Sequence, residues 1–135
     1  MTCPDCEGDL VTFPVPDGLR EHAPEGAPAA SLCSTCLAVA AASDPAAGDA
    51  AFPRVLDSFP EGEGGAALAL LLGTLPSVAL RRESAVTLRD RAEREGVDVA
   101  LALDRLAAAA ETGTVDPAFD LGRRVAQFES LADGR

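Results

Sequence analysis

Four cysteines carry most of the metal-binding and redox chemistry open to this chain, in two identically spaced pairs, Cys3-x-x-Cys6 and Cys33-x-x-Cys36. A Cys-x-x-Cys turn lets two thiolates converge on one ion while amides of the same turn donate to the sulfurs. Two such turns, joined by an out-and-back chain, make the tetrahedral four-sulfur set that suits Zn2+, with Zn–S distances of about 2.3 Å. Pro4 stiffens the first turn. The 26 residues between the pairs exceed the common zinc-ribbon spacer, so an extended hairpin or a loose tip around "REHAPEGAP" is expected. With all four positions filled by protein, the ion has no open place for water or substrate. The reading is therefore one structural Zn2+ on Cys3, Cys6, Cys33 and Cys36. Four thiolates and one divalent cation would move the formal net charge from -11 to -13, which raises the need for amide donors around the sulfurs.

Two other uses of the same cysteines are open. A rubredoxin-like iron site also takes two Cys-x-x-Cys turns, but it prefers Gly just after each second Cys, where this chain has Glu7 and Leu37. Thiol redox exchange calls for a low-pKa cysteine at a helix N-terminus beside a βαβ pattern, and neither is legible here.

Candidates for catalysis are few. His22 is the single histidine and sits in a Pro/Gly-rich stretch, where a solvated loop residue is the ordinary outcome; no second His, Lys or Tyr exists to pair with it. Glu61 and Glu63 stand beside glycines ahead of an apolar run, as favourable charge at a helix N-terminus rather than as an acid/base pair. No Gly-x-Ser-x-Gly and no P-loop occurs. The chain reads as a non-enzyme.

The elements that must position these residues separate by composition. Residues 1–43 hold all four cysteines and read as a β zinc ribbon. Leu10, Val11, Phe13 and Val15 fit a short strand, demoted to an edge by Pro14 and followed by the turn residues Pro16-Asp17-Gly18. "APAASL" runs back into Cys33, and "LAVAAAS" after Cys36 reads as a short helix or an apolar lead-out. Residues 44–65 form a linker whose Phe52, Val55, Leu56 and Phe59 are too apolar for a free tether and are expected to pack as a strap.

Residues 66–135 read as helices. "AALALLLGTLP" is a short apolar helix closed by Gly73 and Pro76, and Ser77 is a candidate N-cap for the next. Val78, Ala85, Leu88 and Ala92 share one face of that second helix, with Asp90 and Arg94 at favourable i,i+4 spacing, and Gly96 stops it. Asp98 caps a third helix with the stripe Val99, Leu103, Leu106 and Ala110, ended by Gly113. Asp116-Pro117 announces a fourth with the stripe Leu121, Val125, Phe128 and Leu131 or Ala132. The fold class is α+β: a small β zinc ribbon packed on or linked to a bundle of about four helices.

Charge narrows the partners. Acids number 22 against 11 bases, all of them Arg, so the basic patch of a nucleic-acid binder is missing. Leu88, Ala92, Gly96-Val97, Ala102 and Leu106 match the apolar skeleton of a helix-turn-helix. Its reading helix, however, would offer Val99, Ala100, Leu101, Asp104 and Arg105, which have little for phosphates or base edges. Nucleic acid is disfavoured, and another protein is the expected partner; the oligomeric state is not legible. The uncharged run Gly64–Leu80 reaches only the short edge of the roughly 17–25 residues of a membrane span and is broken by Gly73 and Pro76. With cysteines where a signal peptide would begin, a cytoplasmic location is expected. The acid excess fits a surface kept soluble in concentrated salt.

"CPDC" and "CSTC" resemble the knuckles of zinc-ribbon proteins. With "FPVPDGLREHAP" and "GVDVALALDRLA", the chain resembles an uncharacterised haloarchaeal family that joins an N-terminal CPxC zinc ribbon to an acidic helical C-terminal part. The resemblance implies metal binding by Cys3, Cys6, Cys33 and Cys36 and no assigned role. It departs from the fuller CPxCG form at Glu7, so another amide, that of Gly8, is expected to meet the sulfurs there.

Overall fold

A computed structural model describes residues 2–42 and 51–133; the first part of the expected linker, 44–50, lies outside them. The chain is α+β, a three-stranded antiparallel sheet followed by four α-helices. Strands β1 (Leu10–Pro14), β2 (Ala29–Cys33) and β3 (Val39–Ala42) lie in that order, with Leu10 opposite Cys33 and Leu32 opposite Val39. Pro14 is tolerated because β1 is an edge. All five residues of β2 are buried, as expected of a central strand made of small and apolar side chains.

Two expectations for this half are corrected. The segment after Cys36 is a strand, not a helix: Ala favours helix intrinsically, but here the chain turns back at Leu37 and pairs with β2. The stretch around "REHAPEGAP" is no loose tip. It forms two 3-10 turns, Asp17–His22 and Pro24–Gly26, with Leu19 and Ala23 in the core.

Helix α1 (Gly62–Thr74) is buried from Gly64 to Leu72, so a helix apolar all round serves as the central element of the core. Among the described residues no helix is long and apolar enough to cross a membrane. A Cβ on Gly73 would lie 2.9 Å from Cβ of Val39, so the missing side chain is what lets α1 approach β3. Phe52 stacks on Phe59 (centroids 5.1 Å apart) and meets Phe13 of β1 at a tilt (5.4 Å). Phe52, Val55 and Phe59 are buried, and Leu56 packs on the same core, which runs continuously from the sheet to α4.

Helix α2 spans Arg82–Arg94. It starts later than the cap expected at Ser77, because Leu75–Ser77 is a 3-10 turn that carries Val78 into the core and leaves Leu80 90% exposed. Its Ala85, Leu88 and Ala92 are buried. Asp90 pairs with Arg89 rather than with the side chain of Arg94, whose Nε donates to the Asp90 carbonyl. Helix α3 (Val99–Thr112) is capped by Asp98, whose Oδ1 accepts from the Leu101 amide at 3.1 Å. It ends at Gly113 (φ 83°), where the Thr114 amide donates back to the Ala109 carbonyl. Helix α4 (Leu121–Ala132) is capped by Asp120, not by Asp116, through a 3.1 Å bond from the Arg123 amide. The Asp116 and Ala118 amides are engaged elsewhere, on the Cys33–Cys36 turn.

Candidate metal centre

Each cysteine pair sits at the tip of a short antiparallel hairpin, and the two tips share one construction. Thr2 pairs with Asp9 across the first, as Leu32 pairs with Val39 across the second. The Cys3 amide donates to the Gly8 carbonyl (2.7 Å) and the Glu7 amide to the Cys3 carbonyl (2.8 Å); in the second tip Cys33 donates to Ala38 (2.9 Å) and Leu37 to Cys33 (3.1 Å). The turn closes only if the residue after the second cysteine enters the left-handed region, and Glu7 (φ 63°) and Leu37 (φ 62°) both do so. Glycine is the usual solution there. Both side chains accept the strain instead.

The turns aim amides at sulfur. Cys33 Sγ accepts from the Thr35 and Cys36 amides, each at 3.4 Å. Cys3 accepts from Asp5 and Cys6 in the same pattern. The second cysteine of each turn is met by the amide two residues on, Gly8 for Cys6 and Ala38 for Cys36, so the donor expected at Gly8 is in place. Gly8 is also where the tips touch: a Cβ there would lie 2.6 Å from Thr35 Oγ1 and 3.1 Å from Cys33 Sγ. Sequence spacing missed this role of Gly8 and Thr35. The signal available was the match of "TCPDCEGD" to "LCSTCLAV", which sets Gly8 beside Ala38.

The structure brings Cys3, Cys6, Cys33 and Cys36 together, with all four sulfurs within 4.8 Å of one another. Across the two tips Cys6 and Cys33 are 3.4 Å apart and Cys3 and Cys36 3.8 Å. A tetrahedron with metal–sulfur bonds of about 2.3 Å has edges of about 3.8 Å, so the set could hold a metal ion without rearrangement of the backbone. Electrostatics point the same way. The Asp5 and Cys6 amides hold the Cys3 thiol below its usual range against the cost of burial. Burial pushes Cys36 up to about 12, and the neighbouring sulfurs add to it. At Cys6 the Gly8 amide pulls down, but the Cys33 sulfur and burial together outweigh it and the thiol is raised. Four sulfurs this close cannot all ionise unless a cation joins them.

The two tips differ in their surroundings. Cys3, Cys33 and Cys36 are buried, whereas Pro4, Asp5, Cys6 and Glu7 are exposed. The second tip is clasped by the segment between α3 and α4: the Asp116 amide donates to the Thr35 carbonyl (2.8 Å) and the Ala118 amide to that of Cys36 (3.1 Å). Leu37 is buried in the main core.

His22 lies outside this cluster and is not solvated as expected. Its Nδ1 shares a 2.9 Å hydrogen bond with Ser84 Oγ, and Arg81 donates to its carbonyl at 3.1 Å, which pins the 3-10 turn to the start of α2. Glu63, in the first turn of α1, pairs with Arg91.

Residues 2–132 match the family described as a family of unknown function (DUF6276). The match spans nearly the whole chain, and the chain belongs to that family. No curated protein and no solved structure matches it significantly.

Proposed function

We propose that this member of the family is a non-enzymatic zinc-binding module in which one Zn2+, held by Cys3, Cys6, Cys33 and Cys36, locks two hairpin tips together and presents the assembled surface to another protein. The observation that carries this reading is the closed set of four sulfurs within 4.8 Å, each met by turn amides. A divalent ion there supplies the positive charge that keeps all four sulfurs as thiolates. The chain's own part is to aim the sulfurs through the two hairpins and to anchor the second tip by the Asp116 and Ala118 amides. A closed four-ligand set leaves no place for a substrate on the ion, which supports a structural rather than a catalytic use.

A protein partner is favoured over nucleic acid by the state of the arginines. In and beside α2, Arg81, Arg82 and Arg94 donate to backbone carbonyls and Arg91 pairs with Glu63 and Glu95. Guanidinium groups engaged in this way make a poor phosphate-binding face. We place the protein in the cytoplasm, where paired cysteines serve metals more than disulfides.

The test is elemental analysis of the protein purified without added metal. About one zinc per chain, lost in Cys33→Ser, is the expected result. Iron with visible colour would replace zinc by a rubredoxin-like site, and metal content unchanged in Cys33→Ser would overturn the ligand set.

A further inference from the structure

We infer that Cys6 is the point at which a hydroperoxide opens the sulfur cage, with Cys33 as its partner in a reversible disulfide. The inference rests on the metal-site reading above and adds what that site does under oxidant. Cys3, Cys33 and Cys36 are exposed by no more than 3%, and Cys6 alone of the four is exposed. The clasp from residues 116–118 covers the second tip, while the first is flanked by exposed Pro4, Asp5 and Glu7. Cys6 Sγ is met by the Gly8 amide, and Cys33 Sγ is held in place by the Thr35 and Cys36 amides. Of the four sulfurs, Cys6 is therefore the one that a solute in water reaches first. Across the tips it lies 3.4 Å from Cys33, within direct contact.

The chemistry balances on these two residues. The Cys6 thiolate attacks one oxygen of the hydroperoxide, the O–O bond breaks, and the leaving alkoxide or hydroxide takes a proton from water, giving a sulfenic acid at Cys6. The Cys33 thiolate then attacks that sulfur; the S–S bond forms, the S–O bond breaks, and hydroxide leaves to be protonated. Two electrons pass from the sulfurs to the peroxide. Cys33 needs no solvent access for this, because it already lies beside Cys6. Two sulfurs held in a disulfide are neutral and no longer serve as ligands, and Cys3 and Cys36 alone make half a site. The second tip keeps its anchor to the helices, so the exposed first tip is the half that loosens.

The experiment uses the full chain loaded with zinc, titrated with hydrogen peroxide, with released zinc read by a chelating dye and the disulfides mapped by peptide mass spectrometry. About one disulfide per zinc released, with Cys6–Cys33 forming first and reversal by a dithiol plus zinc, is expected. A first linkage of Cys3–Cys36 or within either pair, or zinc retained while peroxide is consumed, would overturn it. Zinc content before peroxide reads the metal site separately. The same map on chelator-treated protein in alkaline buffer, which supplies the thiolates that zinc otherwise maintains and where Cys6–Cys33 should again form first, keeps the two readings distinct.

Discussion

Glu7 and Leu37 hold equivalent places in the two cysteine hairpins and share one backbone conformation, with φ of 63° and 62°, yet Glu7 faces solvent while Leu37 is buried in the main core. The same strain is thus carried for two different returns. At Leu37 the side chain joins β3 and the second hairpin to the helical half. At Glu7 nothing comparable is gained.

Glycine at the two positions should therefore act in opposite directions. Glu7→Gly relieves a left-handed conformation that costs an L residue about 1–2 kcal/mol and removes no packing, so it should raise the denaturant midpoint. Leu37→Gly relieves the same strain but removes a buried leucine, a loss of about 2–5 kcal/mol, and should lower it. Urea unfolding of both variants in zinc checks this, and two shifts of the same sign would contradict it.

Contact between the hairpins at Gly8 makes a second prediction. Gly8→Ala sets a methyl 2.6 Å from Thr35 Oγ1 and 3.1 Å from Cys33 Sγ, so it should push the tips apart and weaken zinc binding by about tenfold or more. Adding Thr35→Gly removes the two nearest obstructing atoms, leaving only the Cys33 sulfur, and should recover most of that loss. Competition with a chelating dye measures both variants.

Zinc uptake should strengthen as pH rises. Burial holds the Cys36 thiol up to about 12, and Cys6 is raised as well, so both carry protons at neutral pH and must lose them to bind the ion. Each proton displaced makes apparent affinity climb about tenfold per pH unit. Competition titrations between about pH 6 and about pH 8 should give a slope of at least one proton, with matching release in weakly buffered solution. A flat profile would exclude thiolate ligation.

A net charge of -11 on 135 residues repels itself most when salt is dilute. Screening shortens the Debye length from about 10 Å at 0.1 M to about 3 Å at 1 M, so the thermal midpoint should rise across that range. It should rise with sodium chloride and not with an uncharged osmolyte of equal osmolality. A midpoint indifferent to salt would show that the acids only solvate the surface.

Much of this molecule was legible along the chain. The α+β order, the edge strand marked by Pro14, the cap at Asp98 and the stop at Gly113 are local features, set by a ring that lacks an amide proton, a carboxylate within reach of a free amide and a residue without a side chain. The buried faces of α2, α3 and α4 follow from helical periodicity in the same way, except that α3 closes its stripe on Ala109 where Ala110 was expected. The readings that failed concern segments whose neighbours come from far along the chain. Val39–Ala42, inside a stretch of helical composition, becomes β3 because β2 offers a ladder; Asp116-Pro117 has the form of a cap, but its backbone is drawn to the second hairpin; His22 meets Ser84 across 62 residues.

For the site, the sequence by itself determined the two sulfur pairs and the turn each must make, because Cys-x-x-Cys spacing acts over a few bonds. Only the tertiary structure decided that the two turns meet at Gly8 and Thr35, that the second is clasped by Asp116 and Ala118, and that Cys6 alone is left open to solvent. Turn geometry is a property of adjacent residues. Burial is a property of whatever packs above them, and nothing in the spacing of four cysteines says which of them the helices will cover.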